Sequence, residues 1–312
     1  MASIPLIPFF IAVISIGISY TTIYLIASLG EIFSEKAGVL NLSLEGVMAM
    51  GAFLGYVFSF ISGNPYFGLV GGLVAGLILG LLFAFISITI GVNQVLAGLS
   101  VWLVGIGLSD FIYTISFGRT SYLITVPKLP TVPVPYLSGI PIIGQMLFDH
   151  TLVDYAAYLS VPLLWYIMFR TNFGLKIISV GENPRAADSL GINVNRIRYI
   201  MVLFDSSMAG LSGSMISLTA GLYQVGMIAG RGWIAIGIAA FSGLNPAYGL
   251  LASLIFGVVS AFGPSLMIVG YRIPYEFLDM TPFIALLVVV MMISKRMLMP
   301  SALGKPYKRE EK

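Results

Sequence analysis

The sequence predicts an all-α fold, a polytopic transmembrane helical bundle of about eight to ten helices with some broken helices. The chain has 312 residues, of which 58% are hydrophobic and only 9% are charged, and its mean hydropathy is +0.98. Such a composition lacks the charged groups needed to cover a water-facing surface. In addition, the apolar residues are gathered into long stretches separated by short polar ones, which is typical of repeated membrane crossing.

Nine apolar stretches approach the length of roughly 20 residues that crosses a bilayer. The seventh is short, so an incomplete or broken helix is expected there. In chain order the stretches are 5–29, 39–61, 66–90, 95–117, 151–169, 199–221, 233–246, 249–267 and 281–297.

The basic residues predict the orientation of the bundle. Six of the sixteen Lys and Arg residues lie at or beyond the end of the last stretch, in residues 295–312, and five lie in residues 170–198. Because cytoplasmic loops are enriched in Lys and Arg, the loop at about 171–198 and the tail 298–312 are expected inside the cell, and the loop at about 119–150 outside. Residues 1–312 are thus expected to form a single transmembrane domain of the plasma membrane, with a crossing seventh stretch and an external N-terminus.

The external loop is rich in proline, which excludes a regular helix and favours an extended chain. It could be part of a docking surface or only a spacer. The prolines are Pro127, Pro130, Pro133, Pro135 and Pro141.

A polar stretch in the basic loop predicts a short surface helix. Asn183 suits the N-cap, Pro184 the first turn and Gly191 the end. A rigid helix there suits docking of a soluble partner, although a solvated loop helix is the other interpretation. The predicted element comprises Glu182, Asn183, Pro184, Arg185, Ala186, Ala187, Asp188, Ser189, Leu190 and Gly191.

Small residues recur at intervals of four in the third and sixth stretches, which permits close helix contact in lipid. They are Gly68, Gly72, Gly76 and Gly80 in the third, and Ser206, Gly210 and Ser214 in the sixth, with Ala209 and Gly213 offset from these.

Three carboxylates lie at least six residues from either end of an apolar stretch, where each requires a partner or water. Glu45 ends a polar segment with Asn41 and Ser43 that predicts a helix break. Either it lines a translocation path, or it is bound to neighbouring backbone amides and holds the break. Asp205 suggests an interfacial hydrogen bond, and Asp110 is expected to reach water near the outer end of its helix.

No enzyme signature is found, and neither catalytic residues nor a metal site are expected. The chain has no cysteine, one histidine (His150), no G-x-x-x-x-G-K-(S/T) phosphate loop and no H-E-x-x-H motif. The net charge of +3 is modest and does not indicate nucleic-acid binding.

Four segments resemble permease subunits of ABC importers in the branched-chain amino acid, ribose and nucleoside permease superfamily, particularly the nucleoside or simple-sugar type. The segment 30–46 is similar to the pattern G-E-x-x-x-E-(R/K)-A-G-V-x-N, and 181–192 is similar to G-x-N-x-x-A-A-x-x-x-G-I. The segment 230–246 is similar to G-x-G-(W/F)-x-x-I-A followed by N-P, and 273–283 matches more loosely. The similarity spans nearly the whole chain from about residue 20.

The resemblance implies a non-enzymatic permease that translocates a nucleoside or a related small neutral polar solute across the bilayer. Two separate ATPase subunits would hydrolyse ATP, so no cofactor is expected in this chain, and the 182–191 element would be their coupling helix. A second permease chain, identical or paralogous, and an extracytoplasmic solute-binding protein complete the expected partners. The candidate substrate pathway comprises Asn41, Ser43, Glu45, Asn93 and Trp102.

Two residues depart from the family pattern. Trp102 stands where relatives often carry asparagine, which puts the usual ligand in doubt, and Asp205 lies where only small residues are expected. The alternatives are a ribose-like sugar permease and a proton-coupled secondary carrier that uses Glu45. No two-half repeat is evident in the sequence, which disfavours an inverted-repeat carrier.

Overall fold

The computed structural model describes residues 6–118, 124–140, 143–268, 270, 274, 277–278, 280–293 and 299–307. Several residues used above lie outside these ranges: Arg119 and Pro141 of the external loop, Ile273 and Tyr275 of the loosest family segment, and the basic residues Lys295, Arg296, Lys308, Arg309 and Lys312.

The described chain is helical almost throughout, with one two-stranded sheet. The elements in order are α1 Leu6–Lys36, α2 Leu44–Ser62, α3 Pro65–Ala84 followed by a π-helical turn Phe85–Ile90, α4 Gln94–Phe117, β1 Thr131–Pro133, α5 Ile143–Leu147, β2 Asp149–Thr151, α6 Leu152–Arg170, α7 Asn172–Glu182, α8 Pro184–Ser189, α9 Val194–Ala220, α10 Arg231–Phe241, α11 Pro246–Ile268 and α12 Thr281–Ile293.

Within the described residues, seven helices are long and apolar enough to cross a membrane. They are α1, α2, α3 with its π-helical turn, α4, α6, α9 and α11. The chain is therefore a multi-pass membrane protein, and the predicted helical bundle is confirmed.

The bundle has two distinct ends. One, here named the α8 end, carries α7, α8 and residues 299–307, because the Ala302 amide donates to the Gly181 carbonyl at 3.0 Å. The other, named the sheet end, carries β1, β2 and the loop before them. There the Val126 amide donates to the Gly221 carbonyl at 2.8 Å, just past the last residue of α9.

The seventh apolar stretch forms only the short helix α10, whose 11 residues span about 16 Å, half of a bilayer core. Residues 222–230 lead to it from the sheet end without regular helix. Beyond α10, Leu244 packs in one cluster with Ala187 and Val194 at the α8 end. The segment thus joins the two ends of the bundle, as the charge count required, and the expected broken helix is confirmed.

The pairs α1–α2 and α9–α10 share one arrangement, a long helix, a break and a second helix, but run in opposite directions through the bundle. Helix α1 reaches the α8 end and is followed by a non-helical break, 37–43, and by α2, while α9 reaches the sheet end and is followed by the break 221–230 and by α10. Helix α1 packs along α11 as α9 packs along α3. This two-half arrangement is not evident in the sequence.

The proline-rich loop is not uniformly extended. Strand β1 pairs antiparallel with β2, with Val132 opposite His150. The His150 ring nitrogen Nε2 bonds the Met146 carbonyl at 2.8 Å, and Thr151 and Asp154 form a capping box at the start of α6. This small sheet ties the loop to the beginning of α6.

The glycine stripe of α3 is a helix contact, as predicted. A Cβ atom on Gly76 would lie 2.1 Å from the Ser206 carbonyl oxygen, and one on Gly210 would lie 2.2 Å from that of Gly72. Helices α3 and α9 therefore touch backbone to backbone, which only small residues allow.

Replacing Gly76 by leucine is expected to push α3 and α9 apart and to cost about 1–3 kcal/mol of stability, as overpacked cores do. The melting temperature of the detergent-solubilised protein measures this. Gly107→Leu is the matched control because no atom lies within 4 Å of a Cβ at that position. Equal melting temperatures of the two variants would contradict the packing role of Gly76.

Candidate functional site at the junction of two broken helices

Glu45 joins the first turns of α2 and α10. Its side chain is 6% exposed, and its two carboxylate oxygens accept hydrogen bonds from the amides of Gly230 and Gly232, both at 2.7 Å. The first four amides of a helix lack intrahelical acceptors and carry partial positive charge, so a carboxylate stabilises the start of α10. Of the two interpretations, the structure shows a carboxylate bound to backbone amides, but these lie 185 and 187 residues away. The expectation that the amides are neighbouring ones is wrong.

Glycine is required at the start of α10. A Cβ atom on Gly232 would lie 2.5 Å from the backbone nitrogen of Glu45. Gly230 has φ +81°, and a Cβ there would lie 2.4 Å from the ring of Phe283. The Gly-x-Gly sequence before an apolar helix is thus a packing signal as well as a family motif.

The break between α1 and α2 is held by Asn41. Its side-chain amide donates to Asp205 Oδ2 at 2.7 Å and to Ser206 Oγ at 3.3 Å, and its backbone amide donates to Glu31 Oε1 at 3.2 Å. Ser43 donates its hydroxyl and its amide to Asn41 Oδ1. Asn41 and Ser43 are fully buried in this network, and the interfacial bond expected of Asp205 is present.

Two further carboxylates of this region lie beyond residue 29, where the first apolar stretch was predicted to end. Helix α1 continues to Lys36 and buries Glu31 and Glu35 completely or nearly so. Glu31 interacts electrostatically with both Glu35 and Asp205. The family segment that begins at Gly30 was a signal that α1 extends further, since its acidic residues precede the break.

Trp102 lies beside the Glu45 junction. A Cβ atom on Gly46 would lie 2.4 Å from the Trp102 carbonyl oxygen, so α2 and α4 touch there. The Trp102 ring packs edge-on against Trp233 of α10, with centroids 5.5 Å apart. Its Nε1 is buried without a hydrogen-bond partner among the described residues. Trp102 and Glu45 are therefore brought together, as one pathway would require.

Asn93 lies apart from that junction. It is the N-cap of α4, where its Oδ1 accepts from the amides of Val95 at 2.9 Å and Leu96 at 3.3 Å. The neighbouring Gln94 accepts from the Leu40 amide at 2.9 Å and so ties α4 to the break before α2. Asp110, expected to reach water, is partly exposed and also accepts from the Tyr223 hydroxyl at 3.0 Å.

The polar stretch at the α8 end forms the short helix predicted from the sequence. Asn183 caps it by accepting from the Ala186 amide at 3.1 Å, Pro184 opens it, and Gly191 has φ +83°. Two corrections concern its members. Glu182 ends α7 and is not part of α8, and Ala187 is 2% exposed because it faces the bundle.

Residues 299–307 contact Gly181 and Glu182, which come just before α8 and are here called its base. Ser301 donates to Glu182 Oε2, and Arg198 Nη1 donates to the Lys305 carbonyl at 3.0 Å. Arg198, counted above among the loop charges, is 1% exposed and therefore serves as an anchor. A Cβ atom on Gly181 would lie 2.0 Å from the Lys36 carbonyl and 3.2 Å from the Gly38 nitrogen. The tail, the base of α8 and the α1–α2 break thus meet at one point.

A family model agrees with this arrangement. The model of the branched-chain amino acid transport system permease component matches residues 13–294, which cover nearly the whole described bundle. The chain belongs to this family. It is accordingly an ABC transporter permease, and its relatives are transport permeases and not enzymes.

Relatives of known assignment cover most of the permease. It is 32% identical over 302 residues to the nucleoside ABC transporter permease protein NupC of Lactococcus lactis, covering 92% of this chain and 94% of NupC. It is also 32% identical over 321 residues to the guanosine ABC transporter permease protein NupQ of Bacillus subtilis, covering 95% and 98%. TsgC13 of Haloferax volcanii, a candidate glucose ABC transporter permease, is 36% identical over 245 residues, covering 77% and 73%.

A solved structure shares the fold of the permease. It shows an inward-facing conformation of a candidate metal-chelate type ABC transporter, with a TM-score of 0.53 and 16% identity. The match covers 94% of this chain and 97% of that one.

Replacing Glu45 by glutamine is expected to weaken the junction, because both oxygens accept hydrogen bonds and glutamine would turn an NH₂ group toward one of the amides. The cost is about 1–3 kcal/mol, that of an unsatisfied buried donor. Glu45→Ala, which leaves both amides unpaired, is expected to lower the melting temperature further.

The measurement is the melting temperature together with the membrane abundance of each variant, and Asp149→Asn, at an exposed position of β2, is the control. Native stability of Glu45→Gln would show that the two amides do not depend on this carboxylate. Native stability with complete loss of uptake would favour a proton-coupled role for Glu45.

Proposed function

We propose that this permease translocates a nucleoside, or a related small neutral polar solute, as the membrane subunit of an ATP-driven importer. The observation that carries the proposal is the junction of two half-helices inside the membrane, linked by backbone contact to a capped surface helix at the α8 end. The nucleoside and guanosine assignments of the relatives NupC and NupQ support this class of solute.

The electrostatics of the junction favour an uncharged solute. The carboxylate of Glu45 is bound by the partial positive charge at the start of α10, where Arg231 also lies. A charged solute would add an uncompensated charge at this depth, whereas a neutral polar one would not. In this proposal Glu45 and Trp102 form the wall of the path, Asn41 and Ser43 hold the break behind it, and Asn93 fixes the start of α4.

The α8 end is proposed to be cytoplasmic and to receive an ATPase subunit. The exposed residues of the loop include Arg185, Ala186, Ser189 and Leu190, the last of which is 83% exposed. An exposed leucine at the end of a rigid, polar helix suits insertion into a groove on a soluble partner. By the positive-inside rule, the basic tail and the basic loop are proposed to lie inside and the N-terminus outside.

Movement of α8 has a direct route to the path. Its base touches Lys36 and Gly38 at Gly181, and the break that follows carries Asn41 and then Glu45. Closure of two ATPases on two permease chains would shift α8, and through this contact would alter the two half-helix starts. A solute-binding protein would deliver solute at the opposite end, where β1 and β2 lie.

The exposed face of α8 is expected to crosslink to the ATPase. The chain lacks cysteine, so single cysteines at Ser189 or Leu190 would each be the only thiol in the permease. They are expected to bond to cysteines on the ATPase surface, whereas a cysteine at the buried Ala187 is the control and should not. Labelling of position 190 from outside intact cells would contradict the proposed orientation.

ATP-driven uptake tests the function directly. In vesicles with no ion gradient, the permease with its ATPases and binding protein is expected to accumulate radiolabelled guanosine when ATP is added. Uptake by this chain alone, driven by a proton gradient, would overturn the importer mechanism. ATP-driven uptake of glucose or ribose without nucleoside uptake would retain the mechanism and move the solute to the sugars suggested by TsgC13.

A further inference from the structure

A cavity of about 390 Å³ lies between α1, α9 and the start of α10. On α1 it is lined by residues spaced along one helical face, Ile16, Ser19, Tyr20 and Ile23. On α9 it reaches Thr219, one residue from the end of that helix, so it lies in the half of the bundle nearest the sheet end. A cavity of this volume accommodates a small organic molecule.

Arg231 forms the inner wall of this cavity, beside Tyr20. Its guanidinium lies over the Tyr20 ring, 5.2 Å from the centroid. One nitrogen, Nη1, donates to the carbonyls of Met227 at 2.8 Å and Ile228 at 2.9 Å. Its Nε is buried and has no hydrogen-bond partner among the described residues, so it does not face the cavity. Arg231 lines the cavity as well, and Nη2 is its remaining donor there.

The cavity borders non-helical backbone and carries two hydroxyl groups. Met227, in the non-helical segment 221–230, lines it. Non-helical backbone at membrane depth is stable only when it is packed against protein or borders a water-filled space, because its polar groups require hydrogen bonds. Ser19 and Thr219 add two hydroxyl groups on the facing helices.

We propose that this cavity is a solute subsite that binds the ring of an uncharged nucleoside. Tyr20 and the isoleucines offer an apolar surface for a flat heteroaromatic base, while Arg231 and the two hydroxyls offer donors for its carbonyl and sugar oxygens. Arg231 and Glu45 carry charges of opposite sign at the start of α10, and we expect this balance of charge to favour neutral nucleosides over their phosphates. The inference rests on the proposed function and gives it a specific site on the solute's route.

Protection of single cysteines tests the subsite in the assembled transporter. Ser19→Cys and Thr219→Cys place the only thiols of the permease on the cavity wall, and Ser62→Cys at the exposed end of α2 is the matched control. A water-soluble methanethiosulfonate reagent is expected to modify all three. Guanosine is expected to slow modification at positions 19 and 219 by at least fivefold and to leave position 62 unchanged, whereas ribose and guanosine monophosphate are expected to give little protection.

Substitution of Tyr20 separates binding from folding, because it leaves the bonds of Arg231 to the backbone carbonyls intact. In the Ser19→Cys background, Tyr20→Leu is expected to raise the half-protecting guanosine concentration at least tenfold, while Tyr20→Phe, which keeps the ring, changes it little. In uptake, Tyr20→Leu is expected to raise KM more than it lowers the maximal rate.

Several results would overturn the subsite. These are no modification at positions 19 and 219, modification that guanosine does not slow, equal protection by ribose or guanosine monophosphate, and unchanged protection in Tyr20→Leu. Failure of the proposed function gives a different result, because the unsubstituted transporter would then not accumulate guanosine with ATP, whatever the cysteines report.

Discussion

The fold depends on one carboxylate that satisfies backbone amides across the molecule. Glu45 stands in the first turn of α2 and accepts both of its hydrogen bonds from the start of α10, so two half-helices begin against each other inside the bundle. Without that carboxylate, the partial positive charges of the two helix ends would face each other in a medium with little water. The glycine contacts, the Trp102–Trp233 pair and the path past α10 all follow from this arrangement.

The break between α1 and α2 is held by similar means, through hydrogen bonds between distant segments. Asn41 connects the acidic side chains of α1 and α9 to the chain that leads into α2, and Gly181 brings the base of α8 against the same segment. A rigid contact of backbone on backbone transmits displacement with little loss, because no side chain lies between the two backbones. A short series of contacts therefore connects the proposed coupling surface on α8 with the proposed path at Glu45.

The features that depend on local chemistry could be predicted from the sequence. The cap at Asn183, the proline after it, the glycine stripe and the shortened seventh stretch each indicate structure through spacing alone. The partners of Glu45 and Asn41 were not predictable, because they lie 185 and 164 residues away and no local pattern encodes such a pairing. Burial of Ala187 and Arg198 was missed for the same reason, since each is set by packing against a distant segment.

The separation between Glu45 and its partners also has a consequence for biosynthesis. At ribosomal rates of roughly 5–20 residues per second, the 185 residues between Glu45 and Gly230 take about ten to forty seconds to make. During that time the first helices are already inserted, with a carboxylate in the bilayer whose acceptor oxygens have no amides to bind. The nascent permease therefore passes through a stage in which this carboxylate lacks its partners, and synthesis of Gly230 and Gly232 ends that stage.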